Sequence, residues 1–335
     1  MSQPALTPTL AVVGAGAWGT ALAQMLASDG RPVLLWAREP EVVEAIGKER
    51  RNTFYLPGVE LTDGVRATGD LAAVGDCDIA LMVTPAQHLG TVLSALHPHP
   101  RDLVLCAKGI DAANGRLLHE IAGSAAPGSE IAVLSGPTFA HEVAAGLPTA
   151  ITLACGGGEA QWDRLAPAIG RAHFRPYYSD DLTGAEIGGA VKNVLAIACG
   201  VVDGLGLGLN ARAALISRGY AEMLRFGAAL GARAETLAGL CGLGDLVLTC
   251  SSPDSRNFSL GRALAAGADP VQLMADRRTV AEGAHTAPVL CRLAAAHGVS
   301  MPISEAVERL LNGAPAPEVV LALLARPLTA ESPAA

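Results

Sequence analysis

A short apolar run, Leu10–Val13, breaks into Gly14-Ala15-Gly16-Ala17-Trp18-Gly19 and then into a helical pattern, and this limits what the chain can fold into more than any other feature. Gly14 permits a tight strand-to-helix turn. Gly16 lets the backbone approach a pyrophosphate, and Gly19 lets helix and strand pack closely. The free N–H groups at the start of the helix then face the anion. Three glycines at this spacing are a weak signal alone. Placed after a strand, before a helix and at the start of a βαβ unit, they point to a dinucleotide, and a ligand-free glycine turn is the alternative.

The rest of the first half carries the pattern onward. Apolar, β-rich runs at Val33–Trp36, Ile79–Val83, Leu103–Ala107, Ile131–Ser135 and Ala150–Leu153 alternate with helical patterns at 19–28, 40–50, 87–96 and 115–121. Such alternation implies a mostly parallel, doubly wound sheet with helices on both faces. From about Thr183 the runs become long, rich in alanine and leucine, and helical in period: 185–202, 211–230, 259–266 and 287–297. The expectation is an α/β chain in two parts. Residues 1–182 form a Rossmann-type dinucleotide-binding domain, and residues 183–335 form an all-helical substrate-binding and catalytic domain.

Charge and cysteine usage narrow the function. A net charge of -8 over 335 residues, with no basic run longer than Arg50-Arg51 or Arg277-Arg278, argues against a nucleic-acid surface. The seven cysteines are odd in number, scattered singly and mostly set in apolar runs. They read as reduced thiols, not disulfides or metal ligands, so a cytoplasmic protein without a metal is expected. No basic stretch followed by an apolar segment marks a signal peptide. The longest apolar stretch, Val194–Leu209, carries Asp203 and four glycines and is not expected to span a membrane.

Only three of the 24 basic residues are lysines, and two of them, Lys108 and Lys192, lie in apolar, glycine-rich surroundings. Arginine keeps its charge in any protein environment, whereas a buried lysine can give up its proton. Lys192 lies on a helical pattern in which Ala185, Gly188, Gly189, Ala196 and Cys199 fall on or near the same face. These small side chains leave room for a substrate beside the amine; a tight helix crossing with the lysine turned outward is the alternative. Lys108 follows an apolar strand and should emerge at the sheet edge where open α/β folds bind ligands, unless it is a solvated loop lysine. Asp245, in Gly242-Leu-Gly-Asp245 beside a strand-like apolar run, would orient an ammonium nearby or else cap a helix. In Ser255-Arg256-Asn257 a guanidinium fork flanked by neutral donors could take a phosphate, or the segment could be a polar loop with a helix cap. Arg38, at the end of the second strand, stands where a base would grip the 2'-phosphate of NADP; NADP(H) is expected to bind well, with NAD(H) not excluded.

These segments together resemble the bacterial NAD(P)-dependent glycerol-3-phosphate dehydrogenases. The likeness runs from Gly14 to about Pro302 through Gly14–Leu22, Cys106-Ala-Lys-Gly109, Leu134-Ser-Gly-Pro-Thr-Phe-Ala140, Ala190-Val-Lys-Asn-Val194, Gly242-Leu-Gly-Asp-Leu246, Ser255-Arg-Asn257 and Val280-Ala-Glu-Gly283. It implies reversible reduction of dihydroxyacetone phosphate to sn-glycerol 3-phosphate, feeding glycerophospholipid synthesis. It makes Lys192 the proton donor and acceptor. It places Lys108, Gly136, Thr138, Asn193, Asp245, Ser255, Arg256 and Asn257 at the substrate. It places Gly14, Gly16, Ala17, Trp18, Gly19, Arg38, Lys108, Ala140, Arg256, Val280 and Glu282 at the cofactor. Ala17 departs from the pattern, since many relatives carry serine there, which removes one contact and leaves the backbone donors. A homodimer is expected from the apolar second half. Two rival readings are another β-hydroxyacid-type dehydrogenase, such as a ketopantoate reductase, and a dinucleotide sensor without turnover. Neither accounts for the Ser255-Arg-Asn257 block together with both lysines and Asp245.

Overall fold

The computed structural model describes residues 8–275 and 281–328. Its first half alternates strands and helices: β1 (Leu10–Val13), α1 (Ala17–Leu26), β2 (Val33–Trp36), α2 (Pro40–Glu49), β3 (Val65–Thr68), α3 (Ala72–Gly75), β4 (Ile79–Met82), α4 (Leu89–Ala95), β5 (Asp102–Leu105), α5 (Leu118–Ala125), β6 (Glu130–Ser135), α6 (Ala140–Ala144), β7 (Thr149–Cys155), α7 (Gly158–Ile169) and β8 (Phe174–Ser179). The strands form one sheet in the order β3-β2-β1-β4-β5-β6-β7-β8. All pairings are parallel except β6 with β7, where Ser135 faces Thr152. The order reverses between β1 and β4, which opens a crevice at the carboxyl ends of the strands.

β1, β4 and, after its first residue Asp102, β5 are apolar on both sides because both faces of the sheet are covered. One face packs on α1, α2 and α7 through Leu22, Ile46 and Leu165, and the other on α4 and α5 through Leu93 and Leu118. The sequence reading missed β3 and β8. β8 carries Pro176 and exposed Tyr177 and Tyr178, as suits an edge strand, where a missing N–H breaks no ladder.

The second half is helical: α8 (Leu182–Gly204), α9 (Gly208–Ala229), α10 (Ala234–Ala238), α11 (Asp245–Ser251), α12 (Arg256–Ala265), α13 (Pro270–Ala275), α14 (Glu282–Ala296), α15 (Pro302–Leu311) and α16 (Ala316–Leu324). A one-turn π-helix, Leu240–Gly244, leads into α11. The run around Asp245 is therefore helical, not the strand its apolar residues suggested; tertiary packing overrode β propensity. Asp181 caps α8, accepting from the Gly184 N–H at 2.8 Å.

α8 is the axis of this half. It runs longer than the apolar stretch picked out in the sequence and is long and apolar enough to cross a membrane by length and composition, yet its apolar window is wholly buried inside the protein. Helices pack onto it at glycines. A Cβ at Gly188 would lie 2.3 Å from the Cys241 carbonyl oxygen, one at Gly200 would lie 2.0 Å from that of Phe258, and one at Gly261 would lie 2.0 Å from that of Ile197. α8 and α12 thus cross backbone to backbone, which fixes where α12 begins relative to Lys192. All seven cysteines are free.

Candidate active site

The glycine turn closes as its spacing requires. Gly14 takes φ +113°, open to glycine at little cost. A Cβ on Gly19 would sit 1.8 Å from the Gly14 carbonyl oxygen, so only glycine fits where helix meets strand. A Cβ on Gly16 would meet nothing within 4 Å, so the backbone there faces open space. α1 starts at Ala17 without a side-chain cap or an acidic residue in its first turn, leaving its N–H groups and positive dipole end to an anion. Beside the turn, Trp18 Nε1 and Thr84 Oγ1 are buried without hydrogen-bond partners among the described residues. An uncapped helix start, open space above Gly16 and spare polar atoms fit the pyrophosphate and ribose of a nicotinamide dinucleotide. Ala140 begins α6, which packs in the same apolar cluster as Ala17 and Trp18. Arg38 is largely exposed at the end of β2 and pairs with Glu39, Nη2 to Oε1 at 2.7 Å.

Along the same edge of the sheet, Lys108 follows β5 and reaches toward α8. Its Nζ donates to the Gly136 carbonyl at 3.1 Å and to Asp245 Oδ2 at 2.7 Å. Lys192, on α8, donates to Asp245 Oδ1 at 2.5 Å and to Thr249 Oγ1 at 2.8 Å. The Thr249 hydroxyl in turn donates to Asp245 Oδ1 at 3.1 Å. Asp245 is wholly buried and Lys192 almost so. Burial lowers the Lys192 pKa from 10.5 to about 8, with Asp245 opposing the fall and Lys108 adding to it. An amine held near neutrality can both give and take a proton.

The other expected residues take varied places. Gly136 packs tightly on Ile151, and Thr138 is half-buried and donates to the Gly136 carbonyl at 3.3 Å. Asn193, next to Lys192, accepts from Asn257 Nδ2 at 2.9 Å, and Asn257 Oδ1 accepts from the Gly283 N–H at 2.9 Å. One amide thereby ties α8, α12 and α14 together and keeps one N–H to spare. Ser255 is the cap of α12, accepting from the Phe258 N–H at 3.3 Å, and Arg256 is exposed on the first turn. Glu282 opens α14; burial raises its pKa, while Arg256, Lys108 and Lys192 pull the other way, which brings these four charges into one neighbourhood. Val280 lies outside the described residues.

The sequence reading passed over two residues. Thr249 is four residues after Asp245 on α11, a spacing that puts both on one helix face once the run is known to be helical. Ser135, just before Gly136, is buried with its hydroxyl unpartnered among the described residues.

Comparison with known proteins follows the same lines. A family profile described as the NAD-dependent glycerol-3-phosphate dehydrogenase N-terminus matches residues 9–161, and its C-terminal counterpart matches residues 181–322. The chain is 68% identical over 326 residues to a glycerol-3-phosphate dehydrogenase [NAD(P)+] of Erythrobacter litoralis, covering 97% of this chain and 98% of the relative. A protein of the same name from Novosphingobium aromaticivorans is 68% identical over 329 residues, covering 98% and 99%. The crystal structure of glycerol-3-phosphate dehydrogenase from Coxiella burnetii superposes with a TM-score of 0.90 at 39% identity, covering 96% of this chain and 99% of that one.

Proposed function

The chain belongs to the NAD-dependent glycerol-3-phosphate dehydrogenase family, and from that premise we propose that it interconverts dihydroxyacetone phosphate and sn-glycerol 3-phosphate with NADPH or NADH. The observation that carries the proposal is the buried Lys192–Asp245–Lys108 arrangement, set at the sheet edge that also carries the glycine turn.

Bound NAD(P)H supplies the hydride. Charge then builds on the ketone oxygen, and Lys192 protonates it as it forms. Asp245 and Thr249 hold the Lys192 amine in place, and Asp245 keeps it protonated despite burial. Lys108 supplies a second positive charge at the same place and steadies the oxyanion and the substrate phosphate. Arg256, at the start of α12, supplies the guanidinium that an acidic protein needs to hold a doubly charged phosphate. The remaining expected residues, apart from Val280, which lies outside the described residues, keep the substrate and cofactor roles that the resemblance implies. In the oxidative direction Lys192 takes up the hydroxyl proton.

The reaction is reversible, and run toward sn-glycerol 3-phosphate it yields the glycerol backbone for glycerophospholipid synthesis. The chain divides at 182/183, supported by the last strand ending at Ser179 and α8 starting at Leu182. It works as a homodimer in the cytoplasm. Exposed Leu209 and Val247 on the helical half support self-association, and seven free thiols support a reducing compartment.

One assay tests the activity: loss of reduced-nicotinamide absorbance on adding dihydroxyacetone phosphate, run with NADPH and then NADH, with ketopantoate as the carboxylated control. Turnover of the phosphorylated ketone alone is the expected result. Turnover of ketopantoate alone, or of neither ketone, would overturn the reading.

A further inference from the structure

Ser135 closes β6 on the face of the sheet that α8 covers, two residues on from Val133, which packs in the same cluster as Ala185. It is 2% exposed, and its hydroxyl finds no hydrogen-bond partner among the described residues. Leaving a buried hydroxyl unbonded costs free energy, and nothing in apolar packing requires serine here. The hydroxyl lies at the site. A Cβ built on Gly189 would be 3.1 Å from Ser135 Oγ and 3.2 and 3.5 Å from Lys108 Cγ and Cδ, so the hydroxyl and the Lys108 stem both border Gly189.

The position along α8 gives the hydroxyl its role. Gly189 is one turn before Lys192. Asn193 follows Lys192 and is bonded to Asn257, beside Arg256. Gly189, which borders Ser135, and Asn193, which is bonded to the first turn of α12, are therefore about 6 Å apart along the helix axis at 1.5 Å per residue, with Lys192 between them in the chain. A short ketone phosphate with its carbonyl at Lys192 and its phosphate toward Arg256 directs its third carbon at Ser135.

Resting on the reading of the substrate given above, we propose that Ser135 determines specificity for the free hydroxymethyl group of the ketone. Its unpartnered hydroxyl, which borders Gly189 beside the Lys108 stem, bonds the substrate hydroxyl. A site built to bond a substrate hydroxyl discriminates strongly against the analogue lacking it, because its own polar group is then stranded.

The test compares kcat/KM for dihydroxyacetone phosphate and for acetonyl phosphate, which has a methyl in place of the hydroxymethyl group, in the wild type and in Ser135→Ala. The wild-type ratio should fall by about tenfold or more in the variant, almost all of it from the hydroxylated substrate. Because the hydroxyl is unpartnered without ligand, Ser135→Ala should keep the thermal midpoint and NADPH affinity of the wild type. An unchanged ratio overturns the assignment, as does a lowered midpoint with both ketones slowed alike. Failure of the wild type to use either ketone would instead refute the proposed substrate, so the two ideas fail separately.

Discussion

Lys192 and Asp245 meet at 2.5 Å inside the protein, and the same carboxylate also holds Lys108 at 2.7 Å. One buried negative charge thus faces two amines. Burial and the second lysine push the Lys192 proton off, while Asp245 keeps it on, and the balance falls at about 8. The pair sets a proton affinity more than it adds stability, since a buried ion pair seldom repays the cost of desolvating both partners.

The pH dependence of the reaction follows. With Lys192 in the proposed role of proton donor, kcat/KM for ketone reduction should hold below about pH 8 and be lost above it, and alcohol oxidation should rise through the same pH. Asp245→Asn removes the charge that raises the Lys192 pKa, so the limb should move to lower pH by about one unit or more. Paired pH profiles of both directions check this. A limb that stays in place in Asp245→Asn would show that another group titrates.

Thr249 gives a more local prediction. Its hydroxyl accepts from Lys192 at 2.8 Å and donates to Asp245 at 3.1 Å, so it fixes the direction of the amine. Thr249→Val keeps the shape and removes the bonds. We expect kcat to fall by about tenfold, in line with one lost bond to a charged group, with NADPH affinity unchanged. Stopped-flow turnover beside a fluorescence titration of NADPH separates the two, and equal kcat in variant and wild type would remove Thr249 from the proton path.

Much of this was legible in the residues. The glycine turn and the strand–helix alternation follow from local rules, and the structure adds only the reasons: a left-handed Gly14 and a Gly19 with no room for a side chain. β8 was hidden because Pro176 interrupts the β pattern, and only its edge position makes that proline tolerable in a strand. Thr249 was hidden for a different reason. Its nearness to Lys192 arises from α11 packing on α8, and the apolar run Leu246–Leu248 looked extended until that packing was known. Asn257 read as a free donor, whereas two of its bonds join three helices across long sequence separations that no local pattern encodes.

Arg38 gives a prediction about cofactor choice. Its guanidinium is held by Glu39 at the end of β2, exposed and next to the start of α2. A ribose 2'-phosphate would compete with that carboxylate for the fork, whereas a 2'-hydroxyl offers it no charge. Arg38→Ala should weaken NADPH binding by about tenfold and leave NADH binding within about twofold. Dissociation constants for both cofactors decide it; an unaltered NADPH to NADH ratio would place the discriminating contact elsewhere.

Glu222 predicts how stability changes with pH. It is buried on α9 and accepts from the Ile303 N–H at 2.7 Å, the Ser304 N–H at 3.2 Å and the Ser304 hydroxyl at 3.0 Å, holding the first turn of α15. Burial raises its pKa from 4.5 to about 7, and the three bonds and Arg225 only partly offset it. Because the folded pKa lies above the unfolded one, the native state holds the proton more tightly. The stability this contributes is complete below about pH 4.5 and is lost as pH rises through about 7, a change of about 3 kcal/mol at most. Glu222→Gln cannot ionise, so its unfolding free energy should not carry that decline, even though the amide fits the Ser304 donors less well and lowers stability overall. Urea unfolding at stepped pH gives the comparison: the difference between wild type and variant should shrink from pH 4.5 to 7. A constant difference would mean that Glu222 is already ionised in the folded protein at low pH, stabilised by the start of α15 more strongly than burial opposes it.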